Sequence, residues 1–170
     1  PSAAKLFADG VIESGTAAAA TLVGQNLGAQ KPERAGQTAM QAARYNTVFM
    51  AMLGFALVVF APQVVGLFTS DDVVLPYGIS CLRILGIGFP LYAVGMIMTQ
   101  ALNGAGDTKT PSLLNFICFW ALEIPLAYWL ATAAGFGPNG VFIAIVTAES
   151  TLSILSFLVF RKGAWKLQQA

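Results

Sequence analysis

Three ionisable side chains stand in stretches of sequence that are otherwise apolar: Arg83, Glu123 and Glu149. A charge placed in hydrocarbon is costly, and it ordinarily faces a partner, a cavity or a pathway. Glu123 and Glu149 could hold a cation among oxygen donors, or take up and release a proton. The competing assignment is structural: Arg83 neutralises one or both glutamates and holds helices together. Histidine is absent, which removes the commonest general base and the commonest metal ligand, and no metal site is expected. The sequence has no phosphate-binding P-loop. Gly104-Ala105-Gly106 follows an apolar helical stretch instead of a strand, so it is no dinucleotide site. Nothing here reads as an enzyme, and no cofactor is implied.

Those charges need elements to place them. Residues 45–70, 84–106 and 124–148 carry no Asp, Glu, Lys or Arg. A bilayer crossing takes about 20 predominantly apolar residues. Inside lipid the backbone must satisfy its own hydrogen bonds, so such runs become helices. The pattern predicts an all-α polytopic transmembrane bundle of about five helices, over 10–28, 33–68, 75–102, 111–133 and 139–161. The polar opening of the second helix, PERAGQTAMQAAR, is expected at the membrane surface. Pro76 and Pro111 suit first turns. Residues 135–140, GFGPNG, read as a turn. Pro90 and Pro125 fall inside helices and mark expected bending points. At about 1.5 Å per residue, Arg83, Glu123 and Glu149 come to roughly one depth, slightly outward of the middle of the bilayer.

Composition agrees with this architecture. Of 170 residues, 56% are apolar and 10% charged, against about 25% charged in soluble domains. That leaves too little polar surface for a water-soluble globule. A net charge of +1 implies no nucleic-acid partner. Cys81 and Cys118 lie in apolar stretches and read as buried hydrophobes. The chain opens on Pro1 without Met or a signal peptide, so its natural start is expected further upstream. Lys31, Arg34 and Arg44, then Lys109, then Arg161, Lys162 and Lys166 fall on one side of the five-helix arrangement. Asp71 and Asp72 fall on the other, and are expected to cap the third helix. The positive-inside rule then puts the first residues outside and the last in the cytoplasm.

Two corners on the basic side are alike: GQNLGAQKP (24–32) and TQALNGAGDTKTP (99–111). Each ends a helix with Gln, Leu and Gly-Ala, then supplies a Lys and a Pro before the next. A glycine there can take the left-handed C-terminal cap. Asp107 and Thr108 are expected to tie the second corner by local hydrogen bonds. Gly15, Ala17 to Ala20 and Gly24 form a small-residue face suited to close packing.

These stretches, ATLVGQNLGAQKPERA (20–35) and ALNGAGDTKTP (101–111), resemble the multidrug and toxic compound extrusion (MATE) family of efflux transporters. LFTSDD (67–72), PLAYWLA (125–131) and GFGPNGVFIA (135–144) are similar too. Gly24, Gln25, Asn26, Gly28, Ala29, Gly104, Gly106, Asp107 and Thr108 carry the corner motifs. The resemblance implies a transporter of two six-helix lobes, with residues 1–170 as part of the C-terminal lobe, lacking its first helix. It implies antiport of small amphipathic or cationic drugs against Na⁺ or H⁺ across the cytoplasmic membrane, with the lipid bilayer and the missing N-terminal lobe as partners. Some family members carry an acidic cation-site residue on the helix corresponding to 75–102; here Tyr92 stands near that position, so that site does not carry over. Flippases of lipid-linked oligosaccharides share the superfamily fold and form the alternative, and a non-transporting membrane scaffold is another. Phe119, Trp120, Tyr128 and Trp129 are candidates for drug contact or, more simply, for lipid-facing anchors.

Overall fold

The structure is a computed structural model and describes residues 17–167. Among these residues every regular element is helical. α1 covers 17–28, α2 Pro32–Gly66, α3 Val74–Gly104, α4 Lys109–Ala133 and α5 Pro138–Lys162. A 3₁₀ turn, Ala164–Leu167, follows. α2, α3, α4 and α5 are each long and apolar enough to cross a membrane. The expected start of the first helix near residue 10, with Lys5, Asp9, Glu13 and Gly15, lies outside the described residues. The turn expected over 135–140 is shorter than that, because Pro138, Asn139 and Gly140 already belong to α5. Proline at the first helical position gives up a donor that the first turn cannot use. Gly135 (φ 74°) and Gly137 (φ 56°) supply the reversal before it.

α3 is the central helix. It packs along α2 on one side and along α5 on another. Helices in lipid gain little from burying apolar surface against one another, so close approach decides their pairing. Small residues provide it. On α5, Gly140, Ala144, Ala148, Leu152, Ser156 and Phe160 are buried at every fourth position. On α2, Ala35, Ala39 and Ala43 do the same. At the α3–α5 crossing a Cβ on Gly95 would fall 3.0 Å from the Ser153 Cα. At the α1–α3 crossing a Cβ on Gly104 would fall 2.7 Å from the Ala20 Cα. Of the small face expected on α1, Ala19 is fully buried in this contact.

The helices continue through both prolines expected to bend them, and a third, Pro62, lies inside α2. A helical proline takes the hydrogen-bond donor away from the carbonyl four residues earlier. For Pro90 that carbonyl is Gly86, and it is seated against Gly54 of α2, in space a side chain would need. For Pro125 the helix itself loosens. α4 is wound as a π-helix over Phe116–Glu123 and Trp129–Ala133, on either side of the turn that holds Pro125. Wider turns of this kind are a usual response to a disturbed backbone ladder.

One end of the bundle carries the main core. Ala19 and Val23 of α1, Ala35 and Ala39 of α2, Met98 and Leu102 of α3, and Phe160 of α5 form one buried cluster with Trp165. The Trp165 ring stacks on Phe160 at 4.6 Å, and its indole N–H donates to the Phe160 carbonyl at 2.7 Å. Beside it Lys166 pairs with Glu33 at 2.7 Å, where Glu33 is 82% exposed.

Two outcomes are expected, measured as thermal stability in detergent. Gly104→Ala forces α1 from α3 and costs on the order of 1–3 kcal/mol, while Gly28→Ala, with nothing within 4 Å of its added methyl, is tolerated. Trp165→Ala costs on the order of 3 kcal/mol or more through its lost packing, whereas Lys166→Ala costs less than about 1 kcal/mol because an exposed ion pair is screened by water.

Candidate functional site

Glu149 is placed by two close crossings. On α3, Gly88 meets Val146, and Gly95 meets Ser153. Between these contacts, Tyr92 on α3 and Glu149 on α5 share the walls of two cavities. The larger, about 220 Å³, is polar: Tyr92, Thr99 and Gln100 come from α3, Asn115 and Phe119 from α4, Glu149 from α5. The smaller, about 130 Å³, is apolar apart from Tyr92 and Glu149. Thr99 donates its hydroxyl to the Gly95 and Met96 carbonyls at 2.9 and 3.0 Å. The oxygen's lone pairs stay available, since a hydroxyl both donates and accepts. Glu149 is half-buried. Among the described residues no ion pair reaches its carboxylate.

The three intramembrane charges do not form one cluster. Glu123 lies on α4, half-buried and outside both cavity walls. Arg83 is exposed on α3 and donates its Nε–H to the Val58 carbonyl of α2 at 3.4 Å. The neutralising pair between Arg83 and a glutamate is therefore not formed. The bond that Arg83 makes belongs to the α2–α3 contact, away from the face of α3 that meets α5.

Thr99, Gln100 and Asn115 of the larger cavity went unread in the sequence. Tyr92, Thr99 and Gln100 sit at i, i+7 and i+8 on α3, a spacing that puts them on one helical face. Asn115 and Phe119 sit at i and i+4 on α4. That periodicity was the available signal; each residue alone is ordinary in a membrane helix. Trp120, Tyr128 and Trp129 are exposed and line neither cavity, whereas Phe119 does.

The two corners are the same backbone device. At the first, the Lys31 N–H bonds the Asn26 carbonyl at 2.9 Å and the Gln30 N–H bonds Leu27 at 2.8 Å. At the second, the Asp107 N–H bonds Leu102 and the Gly106 N–H bonds Asn103, both at 3.0 Å. This is the Schellman cap, with its left-handed residue at Gln30 (φ 57°) and Gly106 (φ 85°). The glycine expected at the cap is present at the second corner only; at the first, Gly28 is the counterpart of Gly104, still inside its helix, and Gln30 takes the reversal. Gly24 lies against the Gly104 carbonyl. Gln25 and Ala29 are exposed, with the Ala29 N–H bonded to the Gln25 carbonyl. The Asn26 side-chain amide donates to the Leu22 carbonyl at 2.7 Å. Asp107 accepts from the Thr110 N–H at 3.1 Å, and the Thr108 carbonyl accepts from the Ser112 hydroxyl at 2.8 Å. Of the two expected caps, Asp71 takes the start of α3, accepting from the Val73 and Val74 N–H groups at 2.8 and 3.3 Å, and no such bond involves Asp72 among the described residues.

Comparison with known proteins places this arrangement. The family model MatE matches residues 7–129. The chain is 30% identical over 140 residues to a probable multidrug resistance protein NorM of Mannheimia succiniciproducens, covering 80% of this chain and 30% of that relative. It is 25% identical over 144 residues to the uncharacterized transporter YisQ of Bacillus subtilis, covering 85% of this chain and 32% of that one. Among solved structures it is similar to the inward-facing conformation of a multidrug resistance MATE family transporter of the MOP superfamily. That likeness has a TM-score of 0.85 and 25% identity, and spans 97% of this chain and 39% of the other. The eukaryotic MATE transporter AtDTX14 gives a TM-score of 0.84 and 27% identity over 94% of this chain and 36% of its own. The chain spans about a third of the length of the curated relatives it matches. With the family pattern running through most of its helices and the fold matched almost end to end, this membrane bundle belongs to the MatE family.

Proposed function

We propose that the chain forms most of the second lobe of an export transporter, which expels small amphipathic or cationic molecules across the cytoplasmic membrane in exchange for Na⁺ or H⁺. It is then a transporter and no enzyme. The observation that carries this reading is Glu149: a carboxylate without an ionic partner among the described residues, set in a polar cavity where α3, α4 and α5 meet. Such a group can exchange a bound cation or a proton as the cavity opens to one side or the other. The relatives' names, multidrug resistance protein and transporter, support the same reading.

The route across the membrane needs the other lobe of the same protein, because secondary transporters place their central site at the interface between repeats. Lys31, Arg34, Lys109, Arg161, Lys162 and Lys166 belong to the corner end of the bundle, and Asp71 and Asp72 to the opposite end. By the positive-inside rule the corner end is cytoplasmic. A flippase reading would call for several bases toward a pyrophosphate group. Among the described residues Arg83 is the lone base at that depth, and it is engaged with Val58.

In the complete transporter, Glu149→Gln is expected to lower ion-driven drug efflux at least about tenfold, the loss of one specific charge interaction. Glu123→Gln, outside the cavity wall, is expected to lower it less than Glu149→Gln does. Efflux is followed in vesicles under an imposed Na⁺ or H⁺ gradient, with protein level checked by immunoblot. Normal expression with undiminished coupling in Glu149→Gln removes Glu149 from the mechanism.

A further inference from the structure

Pro62 lies inside α2, four residues after Val58. Its ring nitrogen has no hydrogen, so the Val58 carbonyl loses the backbone donor it would have in an uninterrupted helix. A carbonyl left open in lipid costs several kcal/mol, and a neighbouring group must fill it. The Val58 carbonyl is the one that Arg83 reaches from α3, with its Nε–H at 3.4 Å. An intramembrane arginine and a helix-breaking proline, each costly alone, thus meet at one oxygen.

We propose that Arg83 is a substitute donor for the proline break in α2, a clasp that fixes the last turns of α2 to α3. The clasp sits in a tightly fitted stretch. One turn below it the Gly54 and Gly86 backbones are in contact, and above it Val65 packs on Gly78. Arg83 thereby acts on α2 and not on either glutamate. A charged donor is stronger than a neutral one, which suits it to a carbonyl that has lost its helical partner.

The clasp makes a specific demand: Arg83 matters only while residue 62 lacks an N–H. The test is a double-mutant cycle in the complete transporter, Arg83→Met and Pro62→Ala singly and together. The readout is hydrogen–deuterium exchange of the peptide that covers 58–67, alongside yield of folded protein. Arg83→Met is expected to speed exchange of that peptide about tenfold. Pro62→Ala alone is expected to leave exchange unchanged or slower. The double variant is expected to return to the Pro62→Ala level, because the alanine brings back a backbone N–H that donates to the Val58 carbonyl. If Arg83→Met does not accumulate, adding Pro62→Ala is expected to restore the yield. An equal rise in exchange whether position 62 holds proline or alanine, or a yield that Pro62→Ala does not restore, overturns the clasp.

Discussion

Every backbone carbonyl in this bundle has to find a donor without help from water, and the fold is arranged around that demand. The ordinary solution, the helix, covers most of the chain. The interesting places are those where the helix cannot serve itself: three internal prolines and the helix ends. Each is answered differently. The carbonyl freed by Pro90 rests against the Gly54 backbone, α4 widens around Pro125, and Arg83 reaches the carbonyl before Pro62. The helix ends at the two corners close with paired Schellman bonds. Where the answer lies on a neighbouring helix, as for Pro62, the proline ties helices together instead of loosening them.

The same demand explains the abundance of glycine and alanine along α2, α3 and α5. Without a strong drive to bury apolar surface, helices gain by approaching closely, and a Cβ in the wrong place forfeits that gain. α3 bears glycines toward three different neighbours: Gly86 toward α2, Gly95 toward α5, Gly104 toward α1. A consequence reaches the candidate site. The Gly88 and Gly95 contacts bracket Tyr92 and Glu149, so packing geometry fixes the cavity that the carboxylate borders.

Much of the architecture was legible in the residues. Runs free of charge predicted the helices, and the α2 to α5 boundaries fall within two residues of those expected. The caps at Asp71 and Asp107 followed from residue type and position. Legibility failed where the answer lay in another helix. Nothing local to Arg83 says that its partner is a carbonyl twenty-five residues earlier, made available by a proline four residues further on. Charge alone suggested Glu123 or Glu149 as its partner, and the helix faces overrule that. The polar cavity was missed for a related reason: Tyr92, Gln100 and Asn115 acquire meaning only when three helices bring them to one space. At the first corner the expectation of a glycine at the reversal ignored the ladder, which places the left-handed turn at Gln30.

α2 has 35 residues and α3 has 31, joined along their length as a pair. At about 1.5 Å per residue both exceed a hydrocarbon core of about 30 Å by more than a third. So long a pair must lean or protrude to match its surroundings, and two helices held together lean together. A mismatch with the host bilayer is thereby felt by the pair as one unit, and so by the same α3 that carries Tyr92 to the cavity.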